Sequence, residues 1–265
     1  TGMTSLEDFS NLLSVYYIYY IFQACVALDQ FCQGKRNEQV KLYYALDWEK
    51  VSENRLCCIE GWERIQKNVN HMFSHAVTLE IINQHSLPET MLDYIRLQEC
   101  INQNPESDKF IAEEIDKAEK AYVSCVGDYK KFDQIPVASG GTMTDRAVRH
   151  LFECVETQFL NTGRKGRRES YNNKFVEFCK GRWLKNRRKA GYVLNLTERD
   201  IIFLTKISIR DKEKIRLIDL YKEYEYRGFF LDHTSKEYLQ DFFTKLNLID
   251  KKSDSGDAQY VKRIL

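Results

Sequence analysis

His71 and His75 lie four residues apart, the spacing at which a helix turns two imidazoles to one face, where they could ligate a metal ion. No carboxylate or cysteine at a further helical spacing completes the set, and two ligands make an incomplete site, so the spacing favours structural histidines. His150 and His233 are isolated, with no neighbouring serine or cysteine to suggest a triad, although partners distant in sequence stay open. A carboxylate two residues before a lysine, the pair with which metal nucleases hold a cation and support an attacking water, occurs at Asp128-Tyr129-Lys130 and Asp250-Lys251-Lys252. About three such matches are expected by chance in so charged a chain, so they carry no nuclease signal. No phosphate-cradling loop, dinucleotide fingerprint, zinc-protease helix or nucleophile elbow occurs, which argues against an NTPase. The eight cysteines (Cys25, Cys32, Cys57, Cys58, Cys100, Cys125, Cys154 and Cys179) include no CxxC, and no secretory signal precedes them. They are expected to be reduced core thiols, with no metal bound.

The densest group is cationic: Arg164, Lys165, Arg167 and Arg168, then Lys174, Lys180, Arg182, Lys185, Arg187, Arg188 and Lys189, with Tyr171 and Trp183 interleaved. Residues 161–193 hold eleven cations against two anions, whereas residues 1–160 hold fifteen against twenty-four, a segregation hidden in the net charge of +1. Phosphates attract such cations and release condensed counterions, and the aromatics offer flat faces to bases or sugars. A solvated basic face and a dock for the acidic N-terminal body or an acidic partner are the alternatives. The excess is far beyond a mixed-sign surface and favours nucleic acid. It signals binding without sequence reading.

The elements that position these residues are mainly helical. With 43% apolar and 30% charged residues, 12 glycines and 3 prolines in 265, the chain suits a globular helix-rich protein and excludes disorder and disulfide-stapled miniature folds. A capping box from Thr4 to Glu7 opens a helix through Cys32, broken by Gly34-Lys35-Arg36-Asn37. Its uncharged stretch, 12–28, contains Ser14, four tyrosines and Gln23 and sits at the lower length limit for a membrane span, so a buried core helix is expected, with no membrane and a cytoplasmic location. Thr1-Gly2 before Met3 fits a cloning remnant or the cut end of a longer protein. Residues 40–48 form a short strand or start another helix. Ile59, Trp62, Ile65, Val69, Phe73 and Val77 predict a long helix over 52–83, Pro88 and Pro105 open two more, and Thr142 to Asp145 caps a helix after the loop at 127–144. Three parts follow: an acidic helical body (1–160), a basic helical segment (161–193) and a C-terminal module (194–265).

In that module Thr197-Glu198-Arg199-Asp200 caps one helix, a second runs from Leu217 to Tyr226, and Thr234-Ser235-Lys236-Glu237 caps a third. A polar turn at 252–257 and the alternation from Gln259 to Ile264 read as a hairpin. Helix, helix, helix, hairpin is the order of a winged helix. The third helix is then the recognition helix, with Ser235, Lys236, Gln240 and Lys245 outward, and Lys251, Lys252, Lys262 and Arg263 on the hairpin. Glu237 and Asp241 dilute that helix, which leaves weak binding through the wing and protein contact as alternatives.

Gly191 to Thr197, Phe203-Leu204-Thr205-Lys206, Arg227-Gly228 and above all Lys252 to Lys262 resemble the G subunit of the bacterial DNA phosphorothioation-dependent restriction system. Leu46 to Ser52, Gly61-Trp62 and Phe73-Ser74-His75 are similar to patterns of the same family, so the likeness spans most of the chain and is densest at the C-terminus. Members are longer than 265 residues. The resemblance implies an accessory DNA-binding subunit, without catalysis or cofactor, beside an NTPase subunit and a helicase-like subunit in a complex that restricts DNA lacking backbone sulfur. The expectation is a mainly α protein with a C-terminal winged-helix-like module that binds double-stranded DNA. A winged-helix transcriptional regulator, an assembly adaptor and an enzyme with an unrecognised site are the rivals.

Overall fold

Apolar residues recurring at three and four predict helices, and helices dominate the fold. The computed structural model describes residues 6–35, 38–251 and 259–264. Among them, in chain order, are α1 (Leu6–Asp29), β1 (Ala45–Leu46), α2 (Glu63–Ile82), α3 (Tyr94–Gln103), α4 (Ser107–Cys125), α5 (Met143–Leu160) and α6 (Lys165–Lys180). Then follow β2 (Leu184–Asn186), β3 (Tyr192–Leu196), α7 (Glu198–Ile209), β4 (Lys214–Arg216), α8 (Leu217–Tyr226), α9 (His233–Lys245), β5 (Ile249–Lys251) and β6 (Gln259–Lys262). Free backbone amides at helix starts are met by side-chain oxygens. The Asp145 amide donates to Thr142 at 3.1 Å, and Thr197 and Asp200 form a reciprocal box at 3.2 and 2.9 Å. α9 opens at Asp232, whose carboxylate accepts from the Ser235 amide at 2.9 Å, and not at Thr234. The expected caps at Thr4 and Ser5 and the polar turn at 252–257 lie outside the described residues.

Other expectations change as well. Pro88 opens only the single turn Pro88–Thr90, and α3 starts instead at Asp93, whose carboxylate accepts from the Arg96 amide at 2.7 Å. The helix over 52–83 is interrupted by a wide turn at Cys58–Trp62, in which Gly61 takes φ −106° and ψ −122°. A Cβ at 61 would stand 2.8 Å from the Tyr43 carbonyl oxygen, so glycine lets two backbones pass there. The long helix of residues 161–193 ends at Lys180: Gly181 follows α6, and Leu184–Asn186 form a strand through antiparallel pairing with Tyr192–Leu194. α1 is not a buried core helix. It buries Val15, Ile18, Phe22 and Cys25 but exposes Leu13, Tyr16, Tyr17 and Tyr20, only 22% of its apolar window is buried, and it is long and apolar enough to cross a membrane. Of the eight free thiols, Cys100 and Cys125 are exposed.

Two compact units divide the chain, and three of the four divisions fall inside α1, α2 and α6, the fourth lying between residues 38 and 39. The first comprises Thr1–Ile21, Gln39–Gln66 and Glu177–Leu265; the second comprises Phe22–Glu38 and Lys67–Val176. In the first unit β3 runs between β1, parallel to it through Leu46 opposite Leu196, and β2, antiparallel through Leu184 opposite Leu194. The rings of Tyr44, Trp183 and Phe229 meet there with centroids 5.1 to 5.9 Å apart. From Glu198 onward the order is helix, strand, helix, helix, strand, strand, with β6 antiparallel to β4 and β5 on its two sides. In the second unit, α3, α4 and α5 close on Phe31, Tyr94, Leu97, Ile115, Leu151, Phe152 and Val155. Fully burying one large apolar side chain is worth about 1.5–3 kcal/mol, so this cluster dominates that unit's stability.

Candidate functional site

Within the second unit, α6 carries Lys165, Arg167, Arg168 and Lys174 of the basic segment, and its geometry sorts them. Arg168 is 8% exposed because it shares the inward face with Asn172 and Phe175. Its Nε donates to Glu156 Oε2 at 2.8 Å, its Nη2 donates to Oε1, and the Ser74 hydroxyl also donates to Glu156. The sequence-based placement of Arg168 on DNA is therefore corrected: it balances a buried carboxylate. Arg164 pairs with Asp128 at 2.8 Å and Lys165 with Glu169 at 3.6 Å. Arg167 and Lys174, seven apart and so on one face of α6, are exposed without an acidic partner among the described residues.

In the first unit Arg187 is also a scaffold residue. Its Nη2 donates to the Leu46 carbonyl at 2.7 Å and to Asn195 Oδ1, tying the β2–β3 connection to β1. Lys185 pairs with Asp47, and that bond is the main cause holding the Asp47 carboxyl below its ordinary value. Arg182 donates to Asn11 Oδ1 at 3.0 Å and lies 3.9 Å from Asp200; Lys180 pairs with Glu177 at 2.7 Å. Trp183, expected as a stacking face, is buried at 1% exposure, whereas Tyr171 stays open. Arg188 and Lys189 form the tip of the β2–β3 connection, where Arg188 at φ 59° and Gly191 at φ 68° turn the chain sharply. Both are exposed with no acidic partner among the described residues. Of the eleven cations, four thus face solvent unpaired among the described residues: Arg167, Lys174, Arg188 and Lys189.

Ser235, expected outward on the recognition helix, is fully buried. Arg55 Nη2 donates to its hydroxyl at 2.8 Å, and the hydroxyl donates to Glu49 Oε1 at 3.0 Å. The cap at Asp232 causes this, because the first turn of α9 closes on Arg55, whose Nε and Nη2 donate to the two Asp232 oxygens at 3.1 and 2.5 Å. Burial pushes Asp232 upward, but the Arg55 bond, the Ser235 amide and the Arg55 charge outweigh it, and its carboxyl lies below the ordinary value. Burial dominates at Glu49 and raises it. Lys236 pairs with Glu225 at 3.0 Å and covers the Tyr221 ring. Gln240 is half-buried, while Glu237, Asp241 and Lys245 are exposed, so the outer face of α9 has mixed charge. Lys262 and Arg263 are exposed; the Lys251 side chain and Lys252 lie outside the described residues.

The histidine pair that lacked a third ligand has one in space. Asp29 Oδ1, at the end of α1, is 2.9 Å from His71 Nδ1 and 2.7 Å from His75 Nε2, and Asn68 donates to Oδ2 at 2.6 Å. His75 Nδ1 is 3.1 Å from the Tyr94 hydroxyl, and Phe152 stacks on its ring at 4.4 Å. Burial pushes Asp29 upward, but the bonds from both histidines prevail and hold it far below the usual carboxylate range. Burial lowers His75, against the pull of Asp29. No local spacing signals Asp29, since 42 residues separate it from His71. A second group joins Glu119, His150 and Cys154. Here His150 Nδ1 faces Glu119 at 2.8 Å and Nε2 faces the Ile135 carbonyl at 3.3 Å, while burial pushes the Cys154 thiol up to about 12. With both ring nitrogens engaged and the thiol protonated, this is no activated nucleophile. The chain matches no protein-family model and no curated protein.

Proposed function

We propose that this chain is a non-catalytic DNA-binding subunit that holds duplex phosphates through solvent-facing cations. The observation that carries the reading is the set of four exposed cations without acidic partners among the described residues, Arg167, Lys174, Arg188 and Lys189, left on a segment with eleven cations and two anions. Phosphate contacts of this kind give affinity without sequence preference. The order from Glu198 to Lys262, with β6 between β4 and β5, supports a winged-helix-like module. Exposed Glu237 and Asp241 on α9 favour phosphate contact through Lys262 and Arg263 over base reading by that helix. Membership of a complex that restricts DNA lacking backbone sulfur, beside an NTPase and a helicase-like subunit, rests on the resemblance alone.

Sequence independence is the discriminating property. Labelled duplexes of unrelated sequence should bind within about threefold of one another, and selection from random duplexes should enrich no motif. A reproducible motif would replace this reading with a transcriptional regulator. The adaptor reading has its own support, because six of the eleven cations already meet carboxylates of this chain. It would prevail if reversing Arg188 and Lys189 to Glu abolished capture of a protein partner and left DNA affinity intact.

A further inference from the structure

Asp29 ends α1, where the helix dipole is negative, and no basic residue occupies the last turn of that helix. A carboxylate is disfavoured at that position unless positive charge stands against it. What stands there is two imidazoles, His71 and His75, one turn apart on α2, with their facing atoms and the carboxylate oxygen all within 4.8 Å of one another. Two nitrogens and one oxygen are a donor set suited to zinc and neighbouring divalent transition ions, and three protein ligands leave a fourth position for water.

We propose that Asp29, His71 and His75 form a site for a divalent transition ion, zinc foremost, that ties the 22–38 segment to α2 within the second unit. The surroundings are those of a ligand set held from behind. His75 Nδ1 faces the Tyr94 hydroxyl at 3.1 Å, which leaves Nε2 for the ion, and Asn68 holds the outer carboxylate oxygen at 2.6 Å. Metal-bound histidines and carboxylates are oriented by such outer hydrogen bonds. Phe31 and Phe152 flank His75, with ring centroids at 5.2 and 4.4 Å, and exclude water from that side. Asp29 and His71 keep 16% and 19% of their side-chain surface exposed, enough for entry. Tetrahedral coordination sets ligand atoms about 3.3 Å apart. The carboxylate-to-imidazole separations of 2.7 to 3.1 Å need a small parting to reach that value, and the two imidazole nitrogens start within 4.8 Å of each other. The site is independent of the DNA-binding reading.

The test uses the full chain freed of metal by a chelator and titrated with Co²⁺, then Zn²⁺. One Co²⁺ per chain with the visible absorption of a four-coordinate ion, displaced by Zn²⁺, is expected. His71→Gln and Asp29→Asn should each weaken uptake by about 100-fold or more, and Tyr94→Phe, which removes only an outer hydrogen bond, by about tenfold. Cys154→Ser should bind as tightly as wild type, which separates this site from the Glu119, His150 and Cys154 group. Far-ultraviolet circular dichroism in chelator checks that each variant is folded, and a Zn²⁺-dependent rise in Tm should be present in wild type and absent in His71→Gln. No uptake by folded wild type, or uptake that survives both His71→Gln and Asp29→Asn, would overturn the proposal and leave the three side chains as a hydrogen-bond network.

Discussion

Arg168 and Arg188 carry the same charge and do different work. Truncating Arg168 leaves Glu156 buried and uncompensated beside Ser74, so Arg168→Ala should cost about 3–5 kcal/mol in urea unfolding. The Arg188 side chain has no partner among the described residues, and its backbone amide, which donates to Asn186 Oδ1 at 2.8 Å, survives truncation, so Arg188→Ala should change stability by less than about 0.5 kcal/mol. Both arginines read alike in the sequence, because Glu156, the acid that distinguishes them, sits on the preceding helix, 12 residues before Arg168, and no helical spacing joins the two. Distance along the chain likewise hid Asp29 from the histidine pair, although the pair itself was legible at four residues. Asp232 gives a pH prediction. Its folded pKa lies below the ordinary 3.8, so its contribution is complete above that value and is lost as pH falls through the folded pKa. Urea midpoints taken from pH 7 downward should therefore fall less steeply in acid for Asp232→Asn than for wild type.

Helices were legible, and so was the C-terminal hairpin, where β6 pairs antiparallel with β5; the other strands were not, for a physical reason. α5 shows a full apolar stripe from Ala147 to Phe159, whereas β1 and β4 have two and three residues, too few to display a period of two. β1 also pairs with β3 about 150 residues later, a partnership that no local pattern announces. Caps follow the same logic, since the capping box at Thr197 was readable while Asp232 took the place expected of Thr234. Thr197→Ala should cost about 1 kcal/mol, and Thr234→Ala, which removes no cap, should cost much less, as read from thermal or urea midpoints. Gly61→Ala should destabilise by about 1–3 kcal/mol, because its Cβ would press on the Tyr43 carbonyl and neither backbone can yield cheaply.

Over the whole molecule, the charge segregation seen in the sequence survives in part. Most of the basic segment is neutralised by acids of the same chain, and the segment is divided between two units at residue 176. Mainly helical architecture was legible from composition and periodicity; the division into units was not, because each unit joins distant segments. DNA binding by the unpaired cations is tested most directly by fluorescence anisotropy of a short duplex across a salt series. Wild type is compared with Arg188→Glu/Lys189→Glu and with Arg167→Glu/Lys174→Glu, sparing Arg168 and Arg187, whose loss would perturb the fold. Log affinity should fall linearly with log salt, and each double variant should shrink the slope by about 2, one for each lost phosphate contact. Absence of binding by wild type at low salt, or slopes unchanged in both variants, would contradict phosphate recognition by these residues.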